Sequence, residues 1–363
     1  MAVTVKFKGK DVELLDQSQI LFIYDKSLKQ DDWVINTFYP NKKRFADKDT
    51  VDFGKLETTD LLAPFVTAEA KAVQIGKSGS YSTHEVEAAY LKPARAITPT
   101  SVPDAYIESV LIQWGFLNEN NVNLGNMSNA EKLRLCQMTN AMLNRTAIDN
   151  RKKLMALDVL FKGYTEYQSE NYNYYKADFR RDSNMTYRVT TDWDDKSAKV
   201  VTDLDTALGR MFDVAGVQPE IILSTSKALN LALKNEEFQE RFTKADGSNT
   251  PDNTLMPSFM RTKQAKLKGT LDGVEWWVFD AKHTLNGDAE HYVNPKNVYL
   301  IADLNGTQCQ CQIKHLDVMG APLDYYEYVD VSKNPSVIQQ IADSAPLMAP
   351  SMSNGVMTLQ VLA

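Results

Sequence analysis

SNAEKLRLCQMTNAMLNRTAIDNRKKLMALDVLFKG, residues 128–163, decides how the rest of the chain is read. It opens on Ser128-Asn129-Ala130-Glu131, a capping box in which the Ser128 hydroxyl accepts from the third helical amide and Glu131 reaches back. It closes on Gly163, which can take the left-handed conformation that ends many helices. Neither Pro nor Gly lies between. The spacing predicts one helix of about 34 residues, roughly 50 Å long and several times the usual length. Its apolar stripe is clear at Leu135, Met138 and Met142 and again at Leu154, Leu157 and Phe161. From Asn144 to Lys153 it is polar apart from Ala147 and Ile148, which is not a coiled-coil heptad pattern. A half-exposed rod of this kind suits a flat, extended molecule.

Upstream of the helix, Asp49 to Ile97 has the period of half-buried strands. Thr50-Val51-Asp52-Phe53 alternates, as does Val66-Thr67-Ala68-Glu69-Ala70-Lys71. Gly76-Lys77-Ser78-Gly79 supplies a turn, and Tyr81 to Leu91 returns. The apolar residues of this ribbon are mostly Ala and Val, and a two-stranded ribbon with so thin a core is marginal alone in water. It is expected to lie on its own body or on a neighbouring subunit. Before it, the first 47 residues read as an arm that docks through the aromatics of Trp33-Val34-Ile35-Asn36-Thr37-Phe38-Tyr39-Pro40.

Downstream, a tyrosine-rich stretch (Tyr164, Tyr167, Tyr172, Tyr174, Tyr175) leads into short strands near Met185 to Thr191. Beyond Val200 the texture is α/β. A helix near Leu204 to Val214 ends at Gly216, and the apolar strand Ile221-Ile222-Leu223 follows. Ser224 or Thr225 is the N-cap of a helix carrying Leu229, Leu233 and Phe238. Strands are predicted at Val274 to Phe279 and Val298 to Ala302, with Asn305-Gly306 as a hairpin turn into Cys309 to Ile313. Ser344 to Ala363 holds no charged residue, so it is expected inside a sheet or an interface.

Composition narrows the function. Of the 363 residues, 43% are apolar and 24% charged, as in ordinary folded proteins. No apolar run reaches the ~18–20 residues that span a bilayer, and the N-terminus lacks a signal core, which points to synthesis and retention in a cytoplasm. The net charge of −7 argues against gripping nucleic acid through phosphates, which needs clustered Lys and Arg. An acidic container that holds DNA without adhering to it is compatible.

The motifs that could carry chemistry each have a plainer reading. Gly76-Lys77-Ser78 mimics the end of a phosphate loop, but the required earlier glycine is Lys71 and no helix follows. Cys309, Cys311 and His315 lack zinc spacing; strand alternation puts Cys309, Cys311 and Ile313 on one face and Gln308, Gln310 and Gln312 on the other, so these are core thiols. The three cysteines, Cys136 included, do not suggest a disulfide framework. Asp192, Asp194 and Asp195 beside Trp193 lack the calcium-loop pattern and read as a solvated turn. The histidines, His84, His283, His291 and His315, sit in no triad or HExxH context, and no GxSxG elbow is present. The tyrosine cluster could stack on bases, but without clustered basic residues it reads as packing at domain or subunit contacts. We therefore expect no catalytic residue, no cofactor and no metal.

Several segments, in order, resemble the capsid E family, to which the lambda-type major head proteins of tailed phages belong. Asp49-Thr50-Val51-Asp52-Phe53, Leu62-Ala63-Pro64-Phe65-Val66 and Tyr90-Leu91-Lys92-Pro93 are similar to its N-terminal strand and extended-loop region. Val159-Leu160-Phe161-Lys162-Gly163-Tyr164 resembles the end of its long helix. Ala215-Gly216-Val217 and Pro219-Glu220-Ile221-Ile222 fit its following helix and strand. Ser344-Ala345-Pro346-Leu347-Met348 and Val361-Leu362-Ala363 match its C-terminus. The resemblance covers roughly residues 35–363; residues 1–35 and the loop 245–270 match nothing in it.

The resemblance implies an α+β chain of the Hong Kong 97-type capsid fold: an N-terminal arm (1–47), an extended hairpin loop (48–100), a peripheral domain (101–200) with its spine helix at 129–162, an axial domain (201–330), and C-terminal strands (331–363) returning to the core. It implies a major capsid protein that assembles in a host cytoplasm into hexamers and pentamers of an icosahedral virion shell. The partners implied are further copies of the chain, scaffold and portal proteins, a surface decoration protein in some shells, and packaged double-stranded DNA without specific contacts; no membrane is involved. The assembly interface is assigned to the extended loop at Val66, Ala68, Ala70, Gly76, Gly79, Val86 and Tyr90. Two rivals are weighed: a cellular nanocompartment shell of the same fold holding an enzyme cargo, and an α/β enzyme, which needs a convergent polar site that the sequence does not display.

Overall fold

The long helix runs from Asn129 to Lys162 in a computed structural model that describes residues 4–7, 10–15, 19, 32–46, 48–58, 79–98, 109, 112, 128–169, 172–243, 254–255, 264–285, 287–333 and 336–363. Both ends are fixed by the residues that predicted them. The Ser128 amide donates to Glu131 Oε2 at 2.7 Å, and the Glu131 amide donates to Ser128 Oγ at 3.3 Å. Gly163 takes φ +77° and its amide closes on Val159 at 2.9 Å; a Cβ there would also collide with the Arg181 side chain.

The helix is not the half-exposed rod its polar middle suggests. Asn144, Ile148, Lys152 and Lys153 are all buried, and the Asn144 amide nitrogen and both lysine ammoniums find partners in other elements. Asn144 Nδ2 donates to the Gln340 carbonyl at 3.0 Å, Lys152 reaches Asp324 at 3.4 Å, and Lys153 reaches Gln264 at 3.2 Å. A buried polar group is tolerated only when so satisfied. Burial therefore continues along the rod, apolar at its ends and hydrogen-bonded at its waist.

Against the C-terminal half of this helix lies a seven-stranded mixed sheet. Its order is Thr254–Leu255, Ala265–Leu271, Val274–Phe279, Ile221–Ser224, Asn297–Ile301, Val356–Gln360 and Thr186–Arg188. The central strands are apolar without a break because they are covered on both faces. Ile221, Leu223, Tyr299, Ile301 and Val356 enter the core shared with the long helix, where Phe161 stacks on Tyr299 at 3.7 Å. Ile222, Val298, Leu300, Met357 and Leu359 enter a second core under the helices Val200–Ala215, Ser226–Lys234 and Glu236–Thr243. The charge-free C-terminal segment thus supplies a strand inside this sheet, between Asn297–Ile301 and Thr186–Arg188.

Two local expectations are corrected. The single helix carrying Leu229, Leu233 and Phe238 is two helices broken at Asn235, which is extended at ψ 133°. Its side chain donates to the Ala198 carbonyl at 2.8 Å and accepts from the Phe238 amide at 3.3 Å, starting the second helix. Asn305-Gly306 is not a hairpin turn either. Asn297–Ile301 belongs to the seven-stranded sheet, whereas Thr307–Gln310 lies between Asn41–Arg44 and Pro346–Ala349 in another. The glycine is needed for a different reason: its amide donates to the Phe38 carbonyl at 2.9 Å, and a Cβ would sit 2.6 Å from that oxygen.

The arm docks as its aromatics predict. Trp33–Phe38 is a short helix, and Trp33, Phe38 and Tyr39 are buried in the main core. Trp33 packs 5.0 Å from Trp277 and 5.9 Å from Phe279. Earlier, Val12 and Leu14 lie on the first half of the long helix beside Leu133 and Cys136. A third sheet, Tyr326–Lys333, Ser336–Asp343 and Ala94–Ile97, crosses the middle of that helix.

Candidate assembly surface

The ribbon upstream of the long helix is an antiparallel hairpin of Thr50–Thr58 with Gly79–Glu87, paired residue for residue from Thr50 with Glu87 to Thr58 with Gly79. Nine residues of strand extend about 30 Å. The turn proposed at Gly76-Lys77-Ser78, and the residues Val66, Ala68, Ala70 and Gly76, lie outside the described residues. Gly79 is the first residue of the returning strand.

At its root the hairpin is fixed to its own subunit. Val51 and Val86, opposite each other, are buried in the main core. Phe53 meets Phe179 edge-on at 5.1 Å, and His84 Nε2 lies 2.9 Å from the Asp178 carbonyl, so that nitrogen carries the hydrogen. The Glu87 amide donates to the Tyr175 hydroxyl at 2.9 Å. Part of the tyrosine cluster is thereby explained: Tyr167 and Tyr175 stack at 5.7 Å across the hairpin Tyr164–Ser169/Tyr172–Asp178, which carries the root. Asp49 bolts the other side, accepting from the Gln312 amide and from Lys314 at 2.6 Å, and the Lys314 hydrogen bond leads in holding its carboxyl below the usual range.

Tyr90, placed at the interface by sequence, is half-buried within its own subunit. Its hydroxyl donates to Asp343 Oδ2 at 2.9 Å, and Lys92 lies 3.7 Å from the same oxygen. Burial first, and then the Asp343 carboxylate, push the phenol well up. The described part of the loop therefore brings Val86 and Tyr90 against the body.

What faces away is different. Alternation turns Asp52, Gly54, Thr83 and Glu85 outward, and all four are exposed. Asp52 stands directly opposite Glu85, a like-charge pair that costs stability in an isolated ribbon; Lys48 reaches Asp52 only at 4.0 Å. Beside the root, the turn after Ile313 displays Leu316 and Met319 at 90% and 88% exposure. That turn is firmly built. The Met319 amide donates to the His315 carbonyl at 3.0 Å, and Tyr326 donates to Asp317 at 2.9 Å. The outward place of Asp52 was legible in the alternation of residues 50–53, but its opposition to Glu85 follows only from the hairpin register; nothing in Leu316-Asp317-Val318-Met319 distinguishes it from a buried segment.

The other sequence candidates resolve as structure. Cys309, Cys311 and Ile313 are buried together, and burial pushes the two thiols up to about 11 and about 12. Gln310, expected on the opposite face, is buried too, held by Arg44 at 3.1 Å and by Asp324. Trp193 is buried with its indole on Asp203 at 3.1 Å, while Asp194 and Asp195 are exposed. Among the described residues no group of three or more His, Cys, Asp or Glu is placed to hold a metal, and no helix is long and apolar enough to cross a membrane.

A long capped helix, a two-faced sheet and a two-stranded hairpin upstream of the helix define a subunit of the Hong Kong 97-type capsid class, α+β in composition. Comparison with known proteins agrees. The family described as phage major capsid protein E matches residues 25–361, and the chain belongs to it. A crystal structure described as a prophage capsid protein from E. coli CFT073 is similar over 96% of this chain and 99% of that one, with a TM-score of 0.68 at 15% identity. A further, weaker likeness is to the SrpI encapsulin of Synechococcus elongatus PCC 7942, with a TM-score of 0.45 at 11% identity, covering 92% of this chain and 88% of that one. No curated protein matches. The chain is a major capsid protein, a structural component of the virion shell that assembles with its own kind.

Proposed function

We propose that this subunit forms hexamers and pentamers that close an icosahedral shell around packaged double-stranded DNA, and that its hairpin makes the contact holding neighbours together. The observation that carries this reading is the hairpin's asymmetry: one face is locked into its own core, and the other carries a like-charge pair whose one cation within 4.0 Å, among the described residues, is Lys48. A neighbouring copy supplying cations and apolar surface would relieve it. Leu316 and Met319, exposed beside the root, add apolar area that a neighbouring copy would cover. The net charge of −7 suits a wall that encloses DNA without binding it tightly.

On this reading assembly takes place in the host cytoplasm with a scaffold and a portal, and a decoration protein can bind the outer surface. The work is done by interface burial and expansion rather than by catalysis. Purified chain, alone and with scaffold, should give capsomers or shells by size-exclusion with light scattering and by negative-stain microscopy. A species that stays monomeric at high concentration with scaffold present would overturn the proposal.

A further inference from the structure

Glu327 sits in the strand Tyr326–Lys333, buried on the face turned to the long helix. Directly across the hairpin is Ala342; Gln340, two residues on and opposite Val329, reaches over diagonally, and its Nε2 donates to Glu327 Oε2 at 2.8 Å. Asn144, from the long helix, donates to the Gln340 backbone carbonyl at 3.0 Å. These three side chains form the polar joint between helix and sheet. The count of donors does not close, however. Glu327 Oε1, Gln340 Oε1 and Asn144 Oδ1 are all buried, and none receives a hydrogen bond from the described residues.

An ionised carboxylate only accepts, so it would add another acceptor to a joint already short of donors. A carboxylic acid beside a primary amide does the reverse. Such a pair closes a ring of two hydrogen bonds, amide N–H to one acid oxygen and acid O–H to the amide oxygen. The first bond is present at 2.8 Å. The atoms left over, Glu327 Oε1 and Gln340 Oε1, are the two that the second bond requires.

We propose that Glu327 is held as the neutral acid, donating its proton to the Gln340 side-chain oxygen, and that losing this proton loosens the joint between the long helix and the Tyr326–Asp343 hairpin. Burial pushes the Glu327 carboxyl up to about 8, against smaller opposing pulls from the Gln340 amide and Arg145. Arg145 is the charged group facing it from the long helix; it lies 3.9 Å from Asp149 and 4.2 Å from the Tyr325 ring. Ala94–Ile97 contributes Arg95, opposite Gln340 and exposed. Within the hairpin, Tyr326, Tyr328, Asp330 and Asp343 belong to the other face by alternation. This joint lies within one subunit, and its protonation does not depend on whether subunits close a shell.

The test is Glu327→Gln, which replaces the acid by an amide able to form the same two-bond ring. Denaturant unfolding of both full-length proteins, in the same assembly state, would be followed from pH 4 to 9. The folded Glu327 keeps its proton up to about 8, whereas the unfolded one releases it near the ordinary carboxyl pKa of about 4.3. Stability from this group is thus complete below that ordinary value and is lost as pH rises. The wild-type folding constant should fall relative to the variant by about tenfold per pH unit across this window and level off above it. Difference infrared spectra of the wild type should show a protonated carboxyl band at neutral pH that the variant lacks. Hydrogen exchange in the Tyr326–Asp343 strands, compared at equal pH, should become faster in the wild type than in the variant above pH 8. Parallel pH profiles would overturn the proposal, and so would a wild type without the band; the band is readable even if the variant folds poorly.

Discussion

Asn297–Ile301 and Thr50–Thr58 are both strands, yet they are held in opposite ways. In the first, Val298 and Leu300 enter one core while Tyr299 and Ile301 enter the other, so neither face remains for a partner. In the second, Val51 is buried while Asp52 and Gly54 are exposed, and the exposed set includes the charge opposite Glu85. An unbroken apolar strand is stabilised inside its own subunit. An alternating one leaves a face whose stability depends on something outside. The fold of the subunit therefore resides in the sheet, and the assembly contact we propose lies in the hairpin.

The sharpest way to break this contrast is to damage the sheet. Leu359 is fully buried in the second core, and Leu359→Ala should cost about 2–5 kcal/mol through lost transfer energy and the cavity left behind. Denaturant unfolding measures it. A loss under about 1 kcal/mol would mean that the sheet is not closed on both faces. The same truncation at the hairpin root should be milder. Val86→Ala removes less volume from a residue also buried in a core, and roughly 0.8 kcal/mol per methylene plus a cavity term gives about 2 kcal/mol. If it cost nothing, the root would not be anchored to its own body.

Much of this contrast was legible in the residues. The capping box at Ser128 and the glycine at 163 set the long helix, the run Ile221-Ile222-Leu223 announced an apolar strand, and the charge-free end announced a place inside a sheet or an interface. What the sequence hid was tertiary satisfaction. Lys152 and Lys153 read as solvated because their partners Asp324 and Gln264 lie more than a hundred positions away. Asn305-Gly306 read as a turn because the reason for its glycine, the Phe38 carbonyl, is equally remote. At the assembly surface, alternation fixed which hairpin side chains share a face but not which face meets the body. The resemblance places Val86 and Tyr90 at the assembly interface; within the subunit Val86 is buried in the main core and Tyr90 donates to Asp343.

The next perturbation separates folding from assembly. Joining Thr58 to Gly79 by a short Gly-Ser turn removes residues 59–78 and keeps every root contact described above. Away from such contacts, changes alter stability by about 0.5 kcal/mol or less, and closing a shorter loop costs slightly less entropy. The subunit should melt as the parent does, and shells should not form. Normal shells from this variant would move the essential contact elsewhere, with the Leu316–Met319 turn as the first place to look.

The smallest expected effect on the subunit is the most informative about the surface. Glu85→Lys turns the Asp52–Glu85 repulsion into an attraction across the hairpin. Such a pair contributes roughly 0.2–1 kcal/mol in a sheet, and less when it is as exposed as these residues are. The isolated subunit should therefore be unchanged or slightly more stable, with the gain shrinking as salt is raised. Assembly should respond in the opposite direction, because a neighbour offering cations to this face would now meet one. The measurement pairs a melting curve of the subunit with the yield of shells at low salt. A variant more stable alone and poorer in shells would show that the acidic pair is kept for a neighbour. One that assembles as well as the parent would show that this face stays in solvent, and the asymmetry of the hairpin would need another explanation.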